Sequence, residues 1–546
     1  MPSSPLLPFT LHCFNHSLRH TMFKLKKTAV VDDKPHEGSS WPAILVGSFA
    51  AFGGILYGYD TGSINGIIAM TMFKENFATH RDADGAPYLK SGQTSLIVSL
   101  LSVGTFCGAI AISIVGDMVG RRYSLIGSCA VFSVGVILQC AASDIPLFIV
   151  GRVIAGFGVG LISAIVPLYQ SEAAPKWIRG AIVSAYQFAI TIGLLIASIV
   201  NNSTKDRTDT GAYRIPIALQ FAWALILSIG MVFLPESPRY YVKKNKLDSA
   251  RRSLGRLHAL PPDHPFVTEE LLEIQTNNEY EMSFGKSSLI DCFKPEGRQL
   301  YRIFVGTSVQ ALQQLSGINF IFYYGTDFFE KSGISNPFTI SLVTNIVNVV
   351  FTPPGMYAVD KLGRRNLLLI GSIGMCVCEY IVAIVGTAVD SVVSSKVLIA
   401  FVCCYIAFFA SSWGPVAWVV VGESFSLRTR AKSVAICAAS NWLWNFGIGF
   451  ATPYMVDSGP GNANLGAKVF FIWGTCCLAS IFFVYFLVYE TKGLTLEQVD
   501  ELYEKVPKAW QSPSFVPSLG LAEADAAAGN AEKPEIENVE KVPLEV

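Results

Sequence analysis

The chain has 546 residues, of which 51% are apolar and only 15% charged, too few charges to solvate a soluble protein of this size. Lys plus Arg equal Asp plus Glu at 41 each, so the net charge is zero and nothing in the balance invites nucleic acid. The twelve cysteines fall mostly inside apolar runs, for example Cys403, Cys404, Cys476 and Cys477. That is neither a secreted disulfide framework nor a metal-site spacing.

In chain order, residues 1–41 form a tail carrying Lys24, Lys26 and Lys27 and no basic–apolar–small leader pattern. Met22 directly precedes this basic stretch and is the expected start of the chain. Six apolar runs follow, near 42–69, 94–115, 123–142, 146–168, 181–200 and 215–234. Each is long enough to cross the ~30 Å of bilayer hydrocarbon. The polar interval 235–298 is expected to hold short helices, one starting at a cap, Thr268, ahead of Glu269 and Glu270. Six more runs lie near 302–326, 338–359, 366–388, 397–421, 433–455 and 467–488. The tail 490–546 is rich in Ala, Glu and Pro after about 510 and is expected to be largely disordered. The pattern predicts an all-α membrane protein: twelve transmembrane helices in two six-helix halves, 42–234 and 299–489, joined by a helical loop.

Short basic connections carry Arg121, Arg122, Lys361, Arg364 and Arg365, but the opposite parity also holds Lys205 and Arg207. The basic tail and the loop residues Lys243, Lys244, Lys246, Arg251 and Arg252 decide the orientation: these sides, and both termini, are cytoplasmic. The sequons at Asn201 and Asn202 then face outside as glycosylation candidates.

Three charged signatures occur twice. Asp117-Met-Val-Gly-Arg121-Arg122 returns as Asp360-Lys-Leu-Gly-Arg364-Arg365. Glu172, seven residues before Arg179, returns as Glu423, seven before Arg430. Pro-Glu236-Ser-Pro-Arg239 has a degenerate echo in Tyr-Glu490-Thr-Lys492-Gly. One order at one spacing of about 250 residues indicates a duplicated half. A tight hairpin needs its Gly, and its arginines can bond a neighbouring helix end or carboxylate. Each half thus gains an inner charged cluster able to hold helices together in one state, expected to be the outward-open one. Simple topology anchoring explains one copy better than it explains the set.

The seventh run carries Gln310, Gln313 and Gln314, amides that are costly in lipid and belong against a cavity. At 100° per residue they share a face with Gly317, whereas Asn319 falls nearly opposite. A break at Ser316-Gly317 would turn Asn319 inward, a device transporters use at substrate sites. Span five adds Gln187, span eight Asn345 and Asn348, and span eleven Asn441, Trp442 and Asn445; Trp418 follows a Gly414-Pro415 break in span ten. Neutral amides suit vicinal hydroxyls, and an indole face suits the C–H face of a pyranose. Interhelical bonding accounts for any one amide but not for the whole set. Two charges remain, Asp60 in span one and Arg152 in span four, at depths that differ by only ~5 Å at ~1.5 Å per residue. They can pair; parting would open Asp60 to protonation, and a permanent structural pair is the alternative.

The combination of Gly-Arg152, Pro-Glu236-Ser-Pro-Arg239, Gln313-Gln314-Leu-Ser-Gly-Ile-Asn319 and Glu490-Thr-Lys-Gly resembles the sugar porter family of the major facilitator superfamily, over roughly residues 42–500. The wording around Gln313 is similar to fungal hexose transporters and their glucose-sensor relatives. The resemblance implies a major facilitator fold, no enzyme activity, no cofactor or metal, and alternating-access transport of a hexose, glucose foremost, by a monomer in the plasma membrane. It implies sugar contacts at Gln187, Gln313, Gln314, Asn319, Asn348, Trp418, Asn441 and Asn445. Gating falls to the breaks at Gly317 and Pro415, with Tyr323 and Tyr324 as outer-gate aromatics. In related symporters the Asp at position 60 accepts the proton, yet fungal facilitators also retain it, so symport and uniport both stay open. A glucose sensor is the alternative of another class, although yeast sensors carry longer tails than 490–546. Ala410 departs from animal glucose facilitators, which have a Glu before the Gly-Pro break. Gly104/Gly108 and Gly156/Gly160 fit close helix packing, within one bundle or between copies.

Overall fold

The computed structural model describes residues 39–517 except 82–84, 175–178, 284–289, 333–335, 389–391, 427–428 and 495. Met22 and residues 518–546 lie outside the described residues. Among the described residues, eleven helices are long and apolar enough to cross a bilayer, from Trp41–Ile67 to Gly466–Leu487. The remaining crossing, seventh in order, is built from two shorter helices, Gln299–Leu315 and Ile318–Lys331. The chain is therefore a multi-pass membrane protein of twelve spans, the solution that satisfies every backbone N–H and C=O where water is absent.

Spans two (Ser91–Val119) and four (Ile145–Ala173) pack backbone to backbone. A Cβ added at Gly104, Gly108, Gly156 or Gly160 would lie 2.2 Å from a carbonyl oxygen of the facing helix. These small-residue pairs are thus consumed inside one bundle. The two halves meet mainly where span one packs on seven, two on eleven, and five on eight.

Three local expectations change. The helix placed at Thr268 starts earlier, at Pro265, which occupies a first-turn position where a missing N–H is harmless. His264 Nδ1 accepts from the Phe266 N–H at 3.3 Å, and the Thr268 hydroxyl bonds back to the His264 carbonyl at 3.3 Å. In span ten the break falls at Ser412 (φ −132°, ψ −85°), between Val392–Ser411 and Trp413–Glu423, two residues ahead of Gly414. Pro415 has no N–H to give the carbonyl four residues back and its ring collides with it, so the helix yields upstream of the proline. Asn201 is buried, and its amide donates to the Gly62 and Ser63 carbonyls at 3.2 and 3.0 Å, so it serves helix packing rather than glycosylation.

Disorder from about 510 does not hold for 510–517. The helix Leu496–Lys505 and the turn Ala509–Ser514 fold onto the second half, with Tyr503, Ala509 and Ser512 buried. Arg302 binds Asp500, donates to the Ser424 carbonyl at 3.2 Å and lies 4.3 Å from the Tyr503 ring centre.

Candidate functional site

The duplicated motifs build the same device twice at one end of the bundle. Gly120 (φ +101°) and Gly363 (φ +89°) make the turns, a backbone region that strains any other residue. The space a side chain would need is taken: a Cβ at these positions would lie 2.5 Å from Glu236 Oε2 and 2.4 Å from Glu490 Oε2. Glu236 accepts the N–H groups of Arg121 and Arg122 at 3.0 Å and of Ser237 at 2.8 Å. Glu490 accepts those of Arg364, Arg365 and Lys492 at 2.8, 3.1 and 3.1 Å. Arg121 then grips Glu172 through two bonds of 3.0 and 2.9 Å, and Arg364 grips Glu423 through two of 3.0 and 2.8 Å. Arg122 donates to the Val232 carbonyl and Arg365 to that of Tyr485. Burial pushes the Glu236 carboxyl above its ordinary value, held back in part by those same N–H donors. Asp360 is exposed and 3.3 Å from Arg364, Arg239 is exposed, and Arg430 donates to the Gly422 carbonyl at 3.0 Å. The side chains of Asp117 and Arg179 lie outside the described residues.

These carboxylates cap a helix start, so removing one strands buried N–H groups at about 1–3 kcal/mol. Glu236→Ala and Glu490→Ala are each expected to lower the melting temperature in detergent, while Asp360→Ala leaves it unchanged. Equal melting of all three variants would remove the capping role.

At mid-depth the break in span seven gathers the amides. Gly317 adopts φ +79°, and beyond it Asn319 turns back so that its Nδ2 bonds Gln314 Oε1. Gln314 also accepts from Asn445 at 3.2 Å and donates to Asn441 at 3.1 Å. Asn441 in turn donates to Gln310 and Gln313 at 2.7 and 2.8 Å. Gln313 Nε2 donates to the Trp413 and Gly414 carbonyls at 2.9 and 3.1 Å, tying span seven to the break in span ten. The Tyr323 hydroxyl donates to Asn445 Oδ1 at 3.0 Å, and that of Tyr324 to the Gly449 carbonyl at 2.6 Å. Asn348 is buried on span eight, Gln187 is half-buried on span five and Trp418 is 37% exposed. Among the described residues, none of those three side chains hydrogen-bonds the amide cluster.

Across the bundle, Arg152 Nη1 meets Asp60 Oδ1 at 2.9 Å, with both side chains at most 1% exposed. Arg152 Nε donates to the Ile97 carbonyl at 3.3 Å; among the described residues Asp60 Oδ2 and Arg152 Nη2 have no hydrogen-bond partner by geometry, and Gln220 is the further polar side chain beside Asp60. The pair joins spans one and four within the first half and is only partly satisfied, a costly arrangement in an interior.

Sequence reasoning missed the polar clasp between the halves. Its members gather at the end opposite the Gly-Arg-Arg turns. Asn65 donates to Ser341 at 3.2 Å and accepts from the Thr326 N–H at 3.0 Å. Asn345 donates to Ser198 at 2.8 Å and Ser91 to Asp457 at 2.9 Å, while at mid-depth Ser102 donates to Asn445 at 2.6 Å. Lys74 reaches Glu330 at 3.3 Å, and nearer mid-depth Tyr57 meets Trp442 edge-on at 5.5 Å. Polar residues within apolar runs were the available signal for Asn65, Ser102 and Ser341, but nothing in a linear sequence pairs them.

A duplicated bundle with twin capped turns, an amide cluster at a helix break and a buried carboxylate–guanidinium pair matches one family. Residues 46–503 match the family described as "Sugar (and other) transporter". The chain belongs to the sugar transporter family. It is 55% identical to the major facilitator-type transporter ecdD of Aspergillus rugulosus, over 91% of this chain and 93% of that one. It is 49% identical to the probable glucose transporter rco-3 of Neurospora crassa, over 89% of this chain and 83% of the relative. It is also 50% identical to the high glucose sensor RGT2 of Saccharomyces cerevisiae, covering 86% of this chain but 61% of the sensor. Among solved structures, the proton:xylose symporter XylE bound to 6-bromo-6-deoxy-D-glucose superimposes with a TM-score of 0.71 at 27% identity, covering 85% of this chain and 99% of that one. The sugar transporter family moves solutes rather than transforming them, in keeping with a site of neutral amides.

Proposed function

We propose that the chain is a hexose transporter, glucose foremost, that works as a monomer by alternating access in the plasma membrane with both termini cytoplasmic. The observation that carries the reading is the amide cluster: six neutral side chains of spans seven and eleven, Gln310, Gln313, Gln314, Asn319, Asn441 and Asn445, converging on one helix break. Such a cluster offers paired donors and acceptors to vicinal hydroxyls. Gln187, Asn348 and Trp418 complete the sugar contacts, and Gly317, Pro415, Tyr323 and Tyr324 provide gating. The names of two relatives, a probable glucose transporter and a glucose sensor, support a hexose. With the basic turns on the cytoplasmic side, the clasp of Asn65, Ser91 and Ser341 closes the outside. Asp117, Arg121, Arg122, Glu172, Arg179, Glu236, Arg239 and their second-half counterparts form the inner clusters.

The test is uptake in proteoliposomes, with and without an imposed pH gradient, using a panel of unlabelled sugars. Gln314→Ala removes the hub of the cluster and is expected to weaken glucose affinity about 10-fold or more, in line with a lost hydrogen-bonded polar group. Unchanged affinity in that variant would move the sugar site elsewhere. We also propose that transport is proton-coupled through Asp60, which the incompletely satisfied buried pair and the symporter-like architecture favour. Sugar-induced alkalinisation of a weakly buffered medium is the expected sign; active uptake without it indicates a uniporter. The identity to a sensor favours glucose sensing as the second reading. Growth rescue on glucose in a transporter-null host supports a carrier, and signalling without rescue supports the sensor.

A further inference from the structure

We propose that Glu379, a carboxyl buried in span nine (Arg364–Ala388), is a positioning residue that is held as the neutral acid and braces the break in span seven from behind. The inference rests on the transport reading.

Glu379 is 1% exposed; among the described residues neither carboxyl oxygen has a nitrogen or oxygen hydrogen-bond partner, and its one hydrogen-bonding neighbour is the weak thiol of Cys477. The titratable groups around it are uncharged thiols and one phenol. Cys376 and Cys378 lie on its own helix, Cys476 and Cys477 face it from span twelve, and Tyr405 faces it from span ten. No cation stands among these neighbours. An ionised carboxylate in such a place would be stranded in hydrocarbon without water or a counter-charge, so the side chain keeps its proton. In that form it presents a hydroxyl donor and a carbonyl acceptor.

The neighbours of Glu379 are the ones that hold the break. The Tyr405 hydroxyl donates at 2.7 Å to the Ser316 carbonyl, which the interruption at Gly317 leaves without a helical partner. Trp473, one turn before Cys477 on span twelve, packs on Gly317 so tightly that an added Cβ would sit 2.5 Å from its ring. Both groups that support the broken backbone therefore approach the layer that Glu379 fills. Lower on the same face of span nine, Ser372 accepts from Trp413 Nε1 at 2.8 Å and from Ser480 at 2.9 Å, which braces the break in span ten in the same manner. Glu379 stays away from the amide cluster and acts on it through Tyr405, Trp473 and the angle of span seven.

The experiment compares Glu379→Gln, Glu379→Leu and Tyr405→Phe in proteoliposomes with wild type. The amide mimics the neutral acid, so Glu379→Gln is expected to keep the wild-type KM, proton-driven accumulation and pH profile. A hydrogen–deuterium-sensitive carbonyl band of a protonated carboxyl should vanish from its infrared difference spectrum against wild type. Glu379→Leu, which keeps the bulk but removes the bond to Cys477, should raise KM about 10-fold with kcat nearly kept, as for one lost hydrogen bond. Should Glu379→Leu fail to fold, Tyr405→Phe, which deletes only the bond to Ser316, is expected to raise KM in the same direction. A pH profile altered by Glu379→Gln overturns the neutral acid, as does an unchanged infrared spectrum. A wild-type KM in Glu379→Leu, or in Tyr405→Phe where Leu does not fold, overturns the bracing role. The infrared result stands whether or not wild type transports, so failure of the transport reading is separable.

Discussion

Arg152→Leu is expected to be among the most damaging single substitutions in the first half. It strands Asp60, fully buried and bonded at 2.9 Å to the lost guanidinium, without a counter-charge. Breaking a buried pair by removing one partner costs about 3–5 kcal/mol, because the remaining charge stays desolvated. The expected results are a sharply lower melting temperature in detergent and no transport. Asp60→Asn combined with Arg152→Gln should recover much of the stability, since neither a charge nor a large void is left behind. The same double variant should lose proton-driven accumulation and keep sugar exchange; Asp60→Asn alone should lose accumulation and keep exchange at reduced stability, its amide oxygen still accepting from Arg152. Wild-type melting of Arg152→Leu would show that the pair holds nothing together. Accumulation by Asp60→Asn under an imposed pH gradient would remove Asp60 from coupling.

Gly317→Val should do the most harm in the second half. The residue sits at φ +79°, where a left-handed backbone costs an ordinary residue roughly 1–2 kcal/mol and a β-branched one more. Its Cβ would also lie 2.5 Å from Trp473 Cγ, so either the indole moves or the break straightens. Straightening carries Asn319 away from Gln314 by the helical geometry that set them nearly opposite at the start. A large rise in KM is expected, with a smaller rise for Gly317→Ala. Gly447→Ala is the control, because a Cβ there meets nothing within 4 Å. A Gly317→Val variant with wild-type affinity would show that the break does not shape the sugar site.

The capped turns show how far linear reasoning reaches. The recurrence of Gly120-Arg121-Arg122 as Gly363-Arg364-Arg365 identifies the duplication, and the partners Glu172 and Glu423 recur with it. The degenerate echo Glu490 proved the full equivalent of Glu236, down to three N–H bonds each. Glu379 is legible as a carboxyl inside the apolar run 366–388, but periodicity does not say which side chains surround it. The misplacements at Thr268 and Gly414-Pro415 have local causes: a proline sets a helix start or displaces a break to a neighbouring residue. Asn201 matched a sequon in sequence and a helix-packing amide in space.

The sequence by itself determined the membrane class, the span count, the duplication and the chemistry of the amides, because hydrocarbon thickness and backbone hydrogen bonding leave few solutions for long apolar runs. Only the tertiary structure decided which polar side chains meet. Asn65 reaches Ser341, Ser102 reaches Asn445, and Glu379 is left with thiols and a phenol, and each outcome depends on helix rotation and on contacts between residues up to several hundred positions apart. Helical periodicity gives the face a residue occupies within its own helix; the neighbour opposite that face is set by the packing of all twelve spans together.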